Sequence, residues 1–192
     1  LEGLKLSAIA APQLTYSKTK THGKAVPYYR QDNPTDIAGY LSDYTTNTLE
    51  EERPDAKQLT TQLLANYMRT FGKHDLNVMA GYETYYYRHE GLTASTDNMN
   101  LDRYPYMSNA NKDYLKVGGT AYENSLQSFF GRIIYSYDNR YLLQVNVRRD
   151  ASSRFHKDHR WGTFPSASVG WIMTQEKFMK DINPRSLSFL KI

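Results

Sequence analysis

The chain of 192 residues contains no cysteine, which removes disulfide staples and thiolate metal sites from consideration. Its apolar runs are short, and none approaches the roughly 20 consecutive residues that a membrane helix requires. Charge of one sign is not in excess either: 24 Lys and Arg face 20 Asp and Glu. The basic residues are scattered, apart from Arg148-Arg149 and the stretch Arg154 to Arg160. With no recognised motif beside them, nucleic acid is not expected as a partner. A start methionine is missing too. With Leu1 at one end and the strand-like Leu187 to Ile192 at the other, the chain reads as a piece of something longer.

What is present is an alternation. From residue 125 to 173 apolar and polar side chains exchange at almost every step. In Tyr141-Leu142-Leu143-Gln144-Val145-Asn146-Val147-Arg148 the odd positions are Tyr, Leu, Val and Val, and three even ones are Gln, Asn and Arg. A period of two means a strand with one face in an apolar medium and the other in a polar one.

The turns must keep those faces aligned, because a slip of one residue inverts every side chain. Upstream of Asp138 the apolar positions are again odd, so odd must pair with odd. A three-residue loop at 138 to 140 achieves this, setting Tyr137 opposite Tyr141 and Ile133 opposite Val145, with Asn139 or Arg140 in the left-handed position. In Leu59 to Arg69 the apolar set is odd, but in Leu76 to Thr84 it is even. The two-residue turn Gly72-Lys73 then sets Tyr67 opposite Val78 and Leu63 opposite Tyr82, with glycine first as a type II′ turn prefers.

Seven strands are expected, at about 4 to 16, 58 to 71, 74 to 88, 125 to 137, 141 to 149, 163 to 173 and 186 to 192. One short helix near 175 to 181 begins at a Thr cap. Long loops are expected at 17 to 57, 89 to 124 and 150 to 161. Short turns then fall at one end of the sheet and long loops at the other. The fold class is all-β, an antiparallel up-and-down meander forming part of a transmembrane β-barrel wall. The 17 tyrosines suit an interfacial girdle, since the ring is apolar and the hydroxyl needs water or a partner; Tyr28-Tyr29 and Tyr85-Tyr86-Tyr87 would sit where strands leave the bilayer. Mean hydropathy is negative, which a barrel permits because only alternate residues meet lipid.

Chemical constellations are weak. His156 and His159 beside Asp158 have no evident third ligand, so no metal is expected. Ser152 and Ser153 lack a nucleophile elbow, Asp150 reads as an ion pair with its neighbour Arg149, and Gly91 and Gly118-Gly119 read as turns. Neither catalysis nor a cofactor is expected. The loop tyrosines 28, 29, 40, 44, 104, 106, 114 and 122 are candidates for stacking on sugar rings.

The elements Phe130-Gly131-Arg132, Tyr135-Ser136-Tyr137-Asp138-Asn139-Arg140-Tyr141-Leu142-Leu143 and Arg149-Asp150-Ala151-Ser152-Ser153-Arg154-Phe155 are followed by Trp161-Gly162, Phe164-Pro165-Ser166, Gly170-Trp171, Glu176-Lys177-Phe178 and Leu190-Lys191. As a spaced set covering about the last 65 residues, they resemble the SusC/RagA family of TonB-dependent outer-membrane transporters of Bacteroidetes. One departure is Ala151, where the family pattern has Gly. The resemblance implies a portion of a barrel of about 22 strands, without the plug or TonB box. It also implies import of a glycan or peptide, a SusD-like surface lipoprotein as lid, and the TonB complex as energy source.

Parity assigns the faces. Toward outer-membrane lipid are Leu6, Ala8, Leu63, Ala65, Tyr67, Val78, Ala80, Ile133, Tyr135, Leu143, Val145, Val147, Ala167 and Val169. Toward the lumen are Asn66, Asn77, Arg132, Gln144, Asn146, Arg148, Ser166 and Ser168. A rival reading uses the same periodicity: a soluble β-sandwich acting as a carbohydrate-binding or adhesion module, its apolar stripe buried under a second sheet. A complete eight-stranded barrel is a smaller alternative.

Overall fold

The computed structural model describes residues 2–179 and 189–192. Among these are nine strands: β1 (Leu4–Tyr16), β2 (Thr19–Gly23), β3 (Pro27–Tyr29), β4 (Ile37–Tyr40), β5 (Thr48–Phe71), β6 (His74–Asp97), β7 (Lys116–Tyr137), β8 (Tyr141–Ser152) and β9 (Trp161–Trp171). The main sheet runs in the order β1-β5-β6-β7-β8-β9, with β2 also paired to β5, while β3 and β4 form a separate two-stranded sheet. The chain divides into two compact units. One comprises Leu1–Pro12, Gln58–Tyr87 and Asn124–Ile192, the other Gln13–Lys57 and Arg88–Glu123.

The first unit is built by the alternation and the turns. Around residues 138 to 140 the register places Tyr137 opposite Tyr141 and Ile133 opposite Val145, as odd-with-odd pairing requires. The left-handed residues are Asp138 and Asn139, both at φ 52°. Arg140 does not take that conformation; its amide closes the turn on Tyr137 O at 3.0 Å. Two successive positive φ values give the sense of twist that joins antiparallel strands, and the short polar side chains of Asp and Asn tolerate it better than a longer one. At the other short turn Gly72 has φ +61°. The cross-strand pairs Thr61–Thr84 and Thr70–Asp75 fall on the register that puts Leu63 opposite Tyr82.

No apolar core lies among the described residues of this unit. Among the described residues the buried apolar side chains are Leu49 and Met99, and both belong to the second unit. Leu6 is 71% exposed and Val169 82% exposed. A facing sheet would cover them, so the sandwich reading lacks its second layer.

The second unit corrects the expected loops. Residues 48–57 and 89–97 continue β5 and β6, and 116–124 begin β7; the stretch 17 to 57 also holds β2, β3 and β4. The sequence Glu50-Glu51-Glu52-Arg53-Pro54-Asp55 shows no apolar alternation because strands in water need no apolar face; backbone pairing sustains them. Pro54 lacks an N–H but its carbonyl still accepts from Ser17 N at 3.1 Å, an arrangement open to proline. Gly91 and Gly118-Gly119 lie inside β6 and β7 and are not turns. Tyr28 and Tyr29 lie on β3, outside the main sheet. Leu49, Thr96 and Met99 form the small core of this unit. Asn47 fastens residue 99, donating to Met99 O at 3.2 Å and accepting from Met99 N at 2.6 Å.

β8 likewise extends to Ser152 and β9 begins at Trp161, which shortens the 150 to 161 connection. The expected helix is two 3-10 turns, Met173–Gln175 and Lys177–Met179; residues 180 and 181 lie outside the described residues. So does the start of the expected strand 186 to 192. Its described end pairs with the close of β9 through Ile192 N to Trp171 O at 2.9 Å and Trp171 N to Ile192 O at 2.9 Å.

Candidate functional site

The polar face of the first unit is the candidate site. β7, β8 and β9 stack their even residues into rungs: Arg132 opposite Asn146 and Asn146 opposite Ser166, Ile134 opposite Gln144 and Gln144 opposite Ser168, Phe130 opposite Arg148 and Arg148 opposite Phe164. Parity alone brings Arg132, Gln144, Asn146 and Arg148 to one face, because a strand repeats every second residue.

Arg148 organises this face. Its Nε donates to Asp150 Oδ1 at 2.8 Å, and its Nη2 donates to Glu83 Oε1 at 3.1 Å and to Ser128 Oγ at 3.0 Å. The guanidinium carbon stands 5.4 Å from the Phe130 ring centroid. One side chain on β8 thereby reaches β6 across β7. Glu83 also accepts from Gln62 on β5. Asn146 donates to Ser166 Oγ at 3.2 Å. Arg132 Nε, Asn77 Oδ1 and Ser136 Oγ are buried and without a hydrogen-bond partner among the described residues.

Asp150 therefore pairs with Arg148 and not with Arg149. Neighbouring residues of a strand point to opposite faces, whereas i and i+2 share one. Arg149 lies over Trp161 at 5.0 Å on the other side. Ala151 sits inside β8, opposite Gln127 and Trp161, and its backbone is not left-handed. His156 Nδ1 and Asp158 Oδ2 are 3.2 Å apart with both side chains largely exposed.

The apolar face carries aromatics at two levels. Near the short turns, Phe71 stacks on His74 at 5.1 Å, His74 meets Tyr137 at 4.9 Å, and Tyr137 stacks on Tyr141 at 6.3 Å. Toward the other end, Tyr82 meets Phe129 at 4.9 Å and Phe129 stacks on Trp161 at 5.9 Å. β9 opens on Trp161 and closes on Trp171, both of the apolar parity. Ten residue steps span about 33 Å of strand, which at a tilt of about 40° is about 25 Å of height, the thickness of the apolar band on an outer-membrane barrel.

Glu176 and Glu83 are hydrogen-bond hubs whose partners parity does not supply. Glu176 accepts from Arg140 Nη1 at 2.8 Å, Tyr141 Oη at 2.7 Å and Trp171 Nε1 at 3.2 Å. Arg140 also pairs with Asp138, which takes Lys73 Nζ at 3.0 Å from the other short turn. The Tyr141 hydroxyl above all, with Trp171 and Arg140, holds the Glu176 carboxyl below the usual range. Lys73, then Arg140, does the same for Asp138.

A single-layered sheet with one apolar, aromatic-girdled face and one hydrogen-bonded polar face defines a piece of transmembrane β-barrel wall. Comparison with known proteins narrows the class. No family model matches the chain. The TonB-dependent receptor SusC of Bacteroides thetaiotaomicron is 37% identical over 136 residues, 70% of this chain and 13% of that protein. The TonB-dependent receptor P3 of Formosa agariphila is 32% identical over 141 residues, 72% of this chain and 13% of that protein. The solved structure of the RagAB peptide transporter superposes with a TM-score of 0.81 at 25% identity, covering 95% of this chain and 19% of that one. The chain corresponds to a segment of the SusC-like TonB-dependent receptors of the outer membrane, and it spans about an eighth of the length of the curated relatives it matches. Those relatives are named as receptors, and RagAB as a peptide transporter.

Proposed function

We propose that residues 1–192 form a single segment of the β-barrel domain of an importer that carries a bulky nutrient, a glycan or a peptide, across the outer membrane. The observation that carries this reading is the two-faced wall of the first unit, with Trp161 and Trp171 set about one apolar band apart. The apolar parity meets lipid. Arg132, Gln144, Asn146 and Arg148 face the lumen, where the Arg148–Glu83–Asp150 lattice offers charged and amide groups to cargo or to other parts of the receptor. Transport of this kind makes and breaks no bond. The relatives' shared designation as TonB-dependent receptors supports energy supplied through the TonB complex. The likeness to RagAB, described as a peptide transporter, keeps peptide beside glycan as cargo. A SusD-like surface lipoprotein is the partner that would close over the full-length barrel.

This segment has no cysteine of its own to react in a direct test. In the full-length receptor in outer membranes, Asn146→Cys is expected to react with a membrane-impermeant maleimide once the lumen is opened to the reagent. Val145→Cys is expected to resist that reagent and to quench with a lipid-dissolved nitroxide after labelling in detergent. Reversal of the two patterns sinks the face assignment. Loss of uptake of a labelled oligosaccharide or peptide pool on deletion of the receptor tests import, and unchanged uptake of every pool would refute it.

A further inference from the structure

At the long-loop end of the first unit the apolar face stops at Trp161 and a basic stretch takes over. Trp161 lies opposite Ala151 and Ala151 opposite Gln127, which makes one rung of the odd face. Phe129 stacks on Trp161 at 5.9 Å, and the Arg149 guanidinium carbon stands 5.0 Å from the Trp161 ring centroid. The next step outward carries Ser125 and Ser153, joined by Ser153 N to Ser125 O at 2.9 Å. Trp161 marks one edge of the aromatic girdle, so the groups just past it stand at the depth of lipid head groups.

A hollow of about 230 Å³ opens there, lined by Ser125, Gln127, Ala151, Lys157, Arg160 and Trp161 among others. It is smaller than the usual site for a whole small molecule and suits a single substituent. The small side chains of Ser125 and Ala151 leave the space, and the connection between β8 and β9 supplies the charge. Residues 149 to 160 hold the cations Arg149, Arg154, Lys157 and Arg160 against Asp150 and Asp158. Asp150 is turned to Arg148 on the polar face, and Asp158 lies 3.2 Å from His156 Nδ1. Among the described residues none of the four cations has a carboxylate partner. Lys157 and Arg160 are exposed. Arg160 donates from Nε to Phe155 O at 3.0 Å, which leaves its two terminal nitrogens unbonded among the described residues. The outward residues at this level, Ser125, Gln127 and Thr163, carry no charge.

We propose that this hollow holds the phosphate of an outer-leaflet lipid, bonded by Lys157 and Arg160, while the acyl chains of that lipid run down the apolar face past Trp161 and Phe129. An arginine fork engages two phosphate oxygens at once, and a lysine adds a point charge beside it. Trp161 sets the depth, because its ring belongs at the boundary between hydrocarbon and head groups. A phosphate free in solution would need the cations alone. The aromatic edge and the apolar stripe directly below them are what select a phosphate that carries chains, as basic pockets beside membrane-spanning segments do. The inference rests on the odd residues meeting lipid, and it adds a fixed lipid contact that import by itself does not require.

The test uses the full-length receptor in phosphatidylcholine vesicles doped with phosphorylated lipid A, or with the same lipid A after its phosphates are removed. Mass spectrometry of the lipid retained on the repurified receptor is the readout. Saturable retention is expected, favouring the phosphorylated form by about tenfold or more and weakened by salt. Lys157→Gln, which disturbs no described contact, is expected to remove most of that preference. Ala151→Leu is expected to weaken it as well, because it fills the hollow without changing the charge. Arg154→Gln takes the same charge from the same connection but lies outside the hollow, and should keep most of the preference. Equal losses in Arg154→Gln and Lys157→Gln would mean diffuse attraction and overturn the proposal. Release of lipid A by an equal amount of inorganic phosphate would mark a free-anion site and overturn it too. Nitroxide quenching of labelled Val145→Cys in the same vesicles reads the face assignment separately. Quenching without any preference for phosphorylated lipid A overturns this proposal alone, and absence of quenching overturns both.

Discussion

Glu176 Oε2 lies 2.8 Å from Arg140 Nη1, which ties the segment after β9 to the turn between β7 and β8. Asp138 extends the tie to Lys73 in the turn between β5 and β6. Three connections at the short-turn rim thus share one polar network. Glu176→Ala is expected to lower the denaturant midpoint of the refolded full-length receptor more than Glu176→Gln, because the amide oxygen still accepts from Tyr141 and Trp171. Equal midpoints for wild type and both variants would show that the rim does not depend on it.

Val145→Arg is expected to cost about 2–4 kcal/mol when the barrel is folded into lipid, the penalty for a cation at mid-bilayer on the outer face. Gln144→Arg, one residue away on the polar face, is expected to cost much less. Bilayer refolding titrations compare the two, and a penalty of the same size for both would put the faces the wrong way round.

Gly81 packs beneath the Phe130 ring, where a Cβ would collide with the ring carbons and press on Leu64. Gly81→Val is expected to destabilise by about 1–3 kcal/mol through overpacking. Phe130→Ala in the same chain should recover part of that loss, since the space is then shared. Thermal melts of the single and double variants measure it, and strict additivity would argue that the two residues do not compete for one volume.

Acid should loosen the rim. The carboxyls of Asp138 and Glu176 are both held below their ordinary range, so their contribution is fully present above the unfolded value of about 4. It is lost as pH falls through the lower folded values. Protease resistance of the rim is expected to stay level from about pH 7 to pH 5 and to fall below about pH 4, with a flatter acid limb in Glu176→Gln. A decline already complete at neutral pH would point to other groups.

How far the chain can be read without coordinates depends on the medium around each segment. Where one face meets lipid, the apolar alternation survives in the residues, and the pairing of Ile133 with Val145 follows from counting. Beyond the apolar band both faces are wetted, the alternation disappears, and 48–57 and 89–97 resemble loops although they are strands. Asp150 illustrates a local version of the difficulty. Its sequence neighbour is Arg149, but the pleat gives it to Arg148. Ala151 shows the same limit, since nothing in the string of letters says that this strand continues straight through it.

Side-chain period and turn chemistry between them determined the strand faces, the two tight turns and the meander, because these depend on residues close in sequence. Only the folded arrangement decided that Arg148 reaches Glu83 across an intervening strand, that Glu176 gathers Arg140, Tyr141 and Trp171, and that Glu51 draws Lys18, Lys20 and Arg53 together. The contacts of Arg148 with Glu83 and of Lys18 and Lys20 with Glu51 join segments whose mutual offset is set by long connections, and Glu176 lies after β9 where no side-chain period places it.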